Sequence, residues 1–261
     1  MLDFHFKSSS VKLFHDDCIN VLNYLPENSI DMIFADPPYF LSNGGISCKS
    51  GKMVSVNKAD WDKSNGVDKD FEFTHNWINA CRRVLKDNGT IWISGTMHNI
   101  YQVGYVLQKL QFKLLNEISW FKPNAPPNLS CKYFAHTHET ILWARKNKKI
   151  SHVFNYDLMR EWDDIITPKG KQMRSIWHIP LTPMSEKNNG KHPTQKPIEL
   201  LKRIITSSTN ENAVVLDPFN GSGTTGVVAK MLNRKYIGID KEKEFLNLTK
   251  KRINSIKNKK S

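Results

Sequence analysis

The sequence is short of cysteine, of long apolar runs and of negative charge, and each shortage excludes something. Cys18, Cys48, Cys81 and Cys131 stand far apart and form no C-x-x-C pair, so neither a zinc cluster nor a disulfide framework is indicated and no metal ligand is assigned. No apolar run approaches the roughly 20 residues that cross a bilayer. The opening stretch Met1 to Lys7, MLDFHFK, lacks a signal-peptide pattern. The chain therefore reads as soluble and intracellular, a cytoplasmic protein without a membrane partner. Acidic residues number 25 against 38 Lys and Arg, a formal net charge of +13, which favours a polyanionic partner such as nucleic acid. Part of that excess lies in the tail Lys250 to Lys260, which reads equally as a solvated end. No internal repeat is present, and 261 residues suffice for one domain, or one domain with a sizeable insertion.

Short β-rich runs alternate with amphipathic stretches, which argues for an α/β sheet with helices on its faces. The strand-like runs include Val11–Phe14, Ser29–Phe34, Thr90–Ile93, Glu139–Trp143, Ala213–Leu216 and Lys235–Ile239. Helical spacing marks Cys18–Leu25, Phe71–Leu85, Pro197–Ser207, Thr224–Leu232 and Glu242–Ile256. Two stretches break the rhythm. Leu41 to Lys69 is long for a loop inside a compact domain and reads as a mobile loop, either functional or disordered. Asn147 to Gly190 is polar and aperiodic, and reads as an insertion built for contacts rather than for the sheet.

Two motifs carry chemistry. In ADPPYF, Ala35 to Phe40, two prolines remove two backbone donors and fix two φ angles at the end of an apolar strand. A strand stop explains Pro37 and Pro38 but not Asp36 and Tyr39. In AVVLDPFNGSGTTG, Ala213 to Gly226, a buried strand ends at Asp217, turns through glycines and enters a helix whose first N–H groups can meet a polar ligand. A P-loop requires Lys after its last glycine, and here Thr224 follows Gly223. Gly221, Gly223 and Gly226 have dinucleotide-loop spacing, and Asp240 ends the next strand where an acid can hold ribose hydroxyls. A structural glycine turn remains the alternative.

Together the motifs resemble the S-adenosylmethionine-dependent DNA amino-methyltransferases of the circularly permuted β type. DPPY, Asp36 to Tyr39, matches that family's catalytic motif; DPFNGSGTTG, Asp217 to Gly226, matches its cofactor motif and comes second, which is the permuted order. HDDC (His15 to Cys18), KHPTQKP (Lys191 to Pro197) and YIGID (Tyr236 to Asp240) extend the resemblance over nearly the whole chain. It implies a doubly wound, mostly parallel Rossmann-like methyltransferase sheet. Residues 1–146 would be the catalytic half, 147–190 a target-recognition insertion and 191–261 the cofactor half. The pattern is most similar to the second adenine methyltransferase of DpnII-type restriction-modification systems, which act on GATC.

The roles implied are specific. Asp36 would accept one hydrogen of a base amino group and the Pro37 carbonyl the other, with Pro38 stiffening the mount and Tyr39 stacking on a base rotated out of the helix. S-adenosylmethionine would rest its ribose on Asp240 and its adenine near Asp17 and Cys18. Its methionine end would lie by Asp217, Phe219, Asn220, Gly221, Ser222, Gly223 and Thr224, and by Asp36, Thr194 and Lys196. Asp17 reads alternatively as a helix N-cap, and Lys196 as a solvated lysine. Asn124–Asn128, Lys132, Tyr133, Arg160, Lys169, Lys171 and Arg174 offer base-edge and phosphate groups, though each is also an ordinary surface residue. The loop with Trp61 would close over the base or touch DNA, and reads equally as unstructured. An Asp at the first motif position is typical of adenine enzymes, Ser of cytosine-N4 enzymes. Duplex or single-stranded DNA is the expected partner and a homodimer the expected state. The alternatives are a cytosine-N4 enzyme, an RNA or protein methyltransferase, and a catalytically silent nucleic-acid-binding module.

Overall fold

Period-two alternation along the strands separates two apolar layers. In β3 (Ile30–Ala35), Met32 and Phe34 pack to one side of the sheet and Ile33 and Ala35 to the other. Both sides are covered by helices, which is why the strand is almost continuously apolar. The computed structural model describes residues 3–41, 46–49, 52–55, 62–190 and 192–256.

In chain order the further elements are β1 (Phe4–Lys7), β2 (Val11–His15), α1 (Cys18–Tyr24), then after β3 the ribbon strands β4 (Ile46–Lys49) and β5 (Lys52–Ser55). They continue with α2 (Val67–Val84), β6 (Leu85–Gly95), α3 (Ile100–Lys109), β7 (Lys113–Phe121), β8 (His138–Arg145), α4 (Tyr156–Arg160) and β9 (Ile176–His178). The chain then forms α5 (Ile198–Ser208), β10 (Val214–Asp217), α6 (Thr224–Met231), β11 (Lys235–Asp240) and α7 (Lys243–Asn254). The main sheet has the order β1-β2-β11-β10-β3-β6-β8-β7-β9. From β2 to β6 all neighbours are parallel; β8 is antiparallel to β6 and to β7, and β1 to β2.

One layer takes Val21 and Leu22 of α1, Trp77, Ile78 and Cys81 of α2, and Val103, Val106 and Leu107 of α3. The other takes Leu200, Leu201, Ile204 and Ile205 of α5, Val227 and Val228 of α6, and Leu246 and Ile253 of α7. β3 and β10 are neighbours whose onward connections diverge, β3 running through α2 to β6 and β10 through α6 to β11. That divergence is the switch point at which doubly wound sheets hold ligands, beyond the carboxyl ends of the strands. Asp36 follows β3 there, and Asp217 ends β10.

The expected α/β architecture is present, with differences in detail. The stretch 147–190 is not outside the sheet: β9 pairs in parallel with β7, and Trp177 and Ile179 enter the core. Asp164 and Arg203 of α5 form a buried ion pair at 2.5 Å, fastening the stretch to the framework. Polar composition concealed this because its few apolar residues are spread too thinly to show a period. Within Leu41–Lys69, β4 and β5 form an antiparallel ribbon and α2 begins at Val67 rather than Phe71. Trp61 and its neighbours 56–60 lie outside the described residues, as does Lys191.

Candidate active site

The strand β3 delivers Asp36 into a network of two carboxylates and two ammonium groups. Asp36 Oδ1 accepts from the Tyr39 hydroxyl at 2.7 Å and from Ser94 Oγ at 2.6 Å, and Oδ2 accepts from Lys196 Nζ at 2.7 Å. Glu139, at the start of β8, faces the same hydroxyl at 3.0 Å, Lys196 at 3.4 Å and Lys122 at 3.1 Å. The single Tyr39 proton serves only one carboxylate at a time, so the lysines supply the remaining donors. Burial alone would raise the Glu139 carboxyl, but Lys196 and Lys122 hold it at about 2. Burial alone would lower the Lys196 ammonium, but Asp36 and Glu139 carry it above its ordinary value. Burial, then the charges of Asp36 and Glu139, push the Tyr39 phenol well up, so it remains a donor.

The turn after β3 is held rigidly. Besides the prolines, Asp62 accepts from the backbone N–H groups of Tyr39, Phe40 and Leu41 at 2.9, 3.0 and 3.3 Å. Asn99 at the head of α3 donates to the Pro38 carbonyl at 3.4 Å. Tyr39 is only 8% exposed, and the Lys196 ammonium stands 5.2 Å from the centre of its ring. The ring expected to stack on a base is thus buried here, because a buried phenol seeks a partner for its hydroxyl and finds the carboxylates.

Across the switch point the glycine turn joins β10 to α6. Asp217 closes it by accepting from Phe219 N–H at 3.0 Å and Thr225 Oγ1 at 2.6 Å, and burial pushes its carboxyl up to about 7. Asp240 accepts from Gly221 N–H at 2.7 Å and Glu242 N–H at 2.9 Å, and burial pushes it up to about 6. Asn220 is fixed between Tyr236 and Thr249, at 2.9 and 2.8 Å. Asp17 caps α1 through Ile19 N–H at 2.8 Å and also pairs with Lys241 at 2.7 Å.

These groups surround one cavity of about 380 Å³. Its lining includes Asp17, Cys18, Asp36, Thr194, Lys196, Asp217, Phe219, Asn220, Gly221, Ser222, Thr224 and Asp240, together with Pro38. Gly223, Pro37 and Tyr39 are not on its wall. His192, on the wall, is held neutral, burial lowering it to about 4. A second hollow of about 560 Å³ between α1 and α2 is lined by none of the motif residues. Lys132, Lys171 and Arg174 are exposed away from this wall, while Arg160 is tied to the Gly170 carbonyl at 2.9 Å and Lys169 to Glu161 at 3.0 Å.

Sequence reasoning did not single out Glu139, Lys122, Ser94 or Asp62. A signal existed for Glu139, a charged residue opening an otherwise apolar strand. Its partners are Lys122, the residue after β7, Tyr39, in the turn after β3, and Lys196, 57 residues later in the chain, which the fold and not spacing along the sequence brings together.

The DNA methylase family model matches residues 30–251. The Type II methyltransferase M2.LlaDCHI of Lactococcus lactis subsp. cremoris is 56% identical over 251 residues, 96% of this chain and 91% of that one. M2.DpnII of Streptococcus pneumoniae is 55% identical over 250 residues, 95% and 91% of the two chains. Among solved structures, the M1.HpyAVI–SAM complex is similar with a TM-score of 0.68 at 29% identity, covering 94% of this chain and 99% of that one. The cytosine-N4-specific PvuII DNA methyltransferase, at 18% identity, shares the fold with a TM-score of 0.73 over 100% of this chain and 91% of its own.

Proposed function

The chain belongs to the DNA methylase family, whose model spans most of its length, and from that premise we propose that it methylates the N6 amino group of adenine within GATC, as part of a restriction-modification system. The observation that carries this reading is the meeting of Asp36 with the cofactor-sized cavity at the β3–β10 switch point. The Asp at the first motif position favours adenine over cytosine, and the likeness to M2.DpnII favours the GATC site.

S-adenosylmethionine is the methyl donor, supplying an electrophilic methyl group on its sulfonium. The lining fits it: Asp240 offers a carboxylate for ribose hydroxyls, the Asp17–Cys18 edge a place for the adenine, and the turn Phe219–Ser222 with Thr194 and Lys196 polar groups for the methionine end. An exocyclic amino group is a weak nucleophile because its lone pair is delocalised into the ring. A carboxylate has about four lone-pair positions, and Tyr39, Ser94 and Lys196 use three of those on Asp36. The remaining one accepts an amino hydrogen of the target base, with the Pro37 carbonyl as the second acceptor, leaving the nitrogen lone pair free for the methyl group. Asp36 serves here as a hydrogen-bond acceptor that orients the amino group, and the amino proton would pass to solvent once the nitrogen carries the methyl group. Orientation of donor and acceptor is the main contribution, worth up to about 7–11 kcal/mol in well-ordered systems.

Residues 147–190 are proposed as the target-recognition region and the active form as a homodimer. The test is mass spectrometry of nucleosides from duplexes with and without GATC, incubated with the purified protein and S-adenosylmethionine, with Asp36→Ala in parallel. N6-methyladenine confined to the GATC duplex, lost in Asp36→Ala while cofactor binding is kept, is the expected result. N4-methylcytosine, or no product on either duplex, would overturn it.

A further inference from the structure

We propose that Phe134, on the loop between β7 and β8, is an apolar wedge that enters the duplex beside the target base and fills the stack the base leaves; this rests on the DNA reading above. The β7–β8 ladder ends at the pair Phe121 and His138, and Lys122 N–H donates to the Thr137 carbonyl at 2.7 Å. At the foot of the loop stand Lys122 and Glu139, 3.1 Å apart, and Glu139 shares the Tyr39 hydroxyl with Asp36. The loop therefore springs from the candidate catalytic carboxylates themselves, at the carboxyl end of β3.

Its tip is a constructed turn. The Asn128 side-chain oxygen accepts from the Ser130 N–H and hydroxyl at 3.0 and 2.8 Å, and its amide donates to the Tyr133 carbonyl at 2.6 Å. Pro123, Pro126 and Pro127 fix the backbone leading into it. The turn presents two rings: Tyr133 leans on His136, with ring centres 5.8 Å apart, while Phe134 is 96% exposed.

A lone exposed apolar side chain is ordinary on a protein surface. This one is held on a hydrogen-bonded turn of the loop whose foot is Lys122 and Glu139, in a stretch from residue 122 to 138 that has two lysines, two histidines and no acidic residue. Lys132, His136 and His138 are exposed around it. An exposed lysine and polar imidazoles on one loop with an apolar ring complement a polyanion with an apolar, stacked interior. Rotating a base out costs unpairing and unstacking, and an inserted apolar side chain replaces the lost stacking, as wedges do at kinked base steps.

The test compares the unaltered protein with Phe134→Ala and Phe134→Leu on a matched GATC duplex, a GATC single strand and a duplex whose target adenine faces a mismatch. Phe134→Ala is expected to lower kcat/KM on the matched duplex by about tenfold or more while leaving the single strand within about twofold, because only the duplex has a stack to refill. The mismatch restores much of the loss, since its base is already cheaper to extrude. Phe134→Leu, still an apolar wedge, keeps most activity. 2-Aminopurine at the target position brightens with the unaltered protein and not with Phe134→Ala. Equal losses on all three DNAs, or none on the matched duplex, would overturn the wedge. Should the single strand be no substrate at all, the mismatched duplex carries the comparison. Failure of the unaltered protein to methylate any DNA sinks the DNA reading instead, so the two failures are distinguishable.

Discussion

Glu139 shows how much of a site depends on a single buried charge. It stands against Lys122 and Lys196, which with Asp36 make a balanced set of two carboxylates and two ammonium groups. Glu139→Gln keeps the shape and removes the charge, leaving an uncompensated ammonium in a buried place. Breaking a buried pair from one side costs about 3–5 kcal/mol, and urea denaturation should register a loss of that order. The double variant Glu139→Gln, Lys122→Met is expected to recover part of it; an additive further loss would show that the pairing is not what stabilises the site. Asp36, Tyr39 and the Asp217–Gly226 turn were legible in sequence because each motif is contiguous and its residue types are unusual at a strand end. Glu139 and Lys122 were not, because their proximity to Asp36 is a product of sheet register rather than of spacing along the chain.

Among the elements, the β10–α6 turn owes its glycines to geometry as much as to any ligand. Gly223 caps α6 with φ at +72°, and a Cβ there would lie 2.2 Å from Thr249 Oγ1. Gly223→Ala is therefore expected to cost about 1–2 kcal/mol for the left-handed backbone and about 1–3 kcal/mol more for overpacking. Thr249→Ala in the same chain should return no more than part of the packing cost, because the Cβ of residue 249 would still lie 2.6 Å away and the Asn220 amide would lose the Thr249 hydroxyl, 2.8 Å away, as a partner; denaturant melts of the single and double variants read the difference. An unchanged stability in Gly223→Ala would contradict both contributions. The sequence pattern located this turn and its two flanking elements correctly, since a buried β run, a glycine turn and a helix follow one another without interruption. β9 escaped notice for the opposite reason: three residues, of which only Trp177 is buried, carry no period to detect.

At the scale of the whole molecule the dominant fact is the charge of +13. If it meets phosphates, binding to DNA releases counterions, and about four phosphate contacts would weaken affinity roughly 10²-fold between about 50 and 200 mM salt. Fluorescence anisotropy with a labelled duplex measures this. S-adenosylmethionine affinity over the same range serves as the contrast and should change little, because its site lies in a walled cavity of about 380 Å³. A flat salt response for DNA would mean that the positive charge is not part of the contact. The composition pointed to a polyanionic partner, but only the fold shows that the β7–β8 loop, with Lys132 and an exposed apolar ring, leaves the sheet at the strand ends where Asp36 and Asp240 already stand.

The first and last of the described elements, β1 and α7, also meet. His5 Nε2 lies 3.0 Å from Asn247 Oδ1, and the Lys250 ammonium sits 5.1 Å from the ring centre of Phe6. A bridge running from α7 to β1 would join the last described element to the first without moving a strand. A chain so joined could be reopened at another surface turn and still assemble the same sheet, with the glycine turn now preceding DPPY in the gene. The order in which the two motifs are written is thus free to vary, because what brings them together is the adjacency of β3 and β10 and not the place where translation starts.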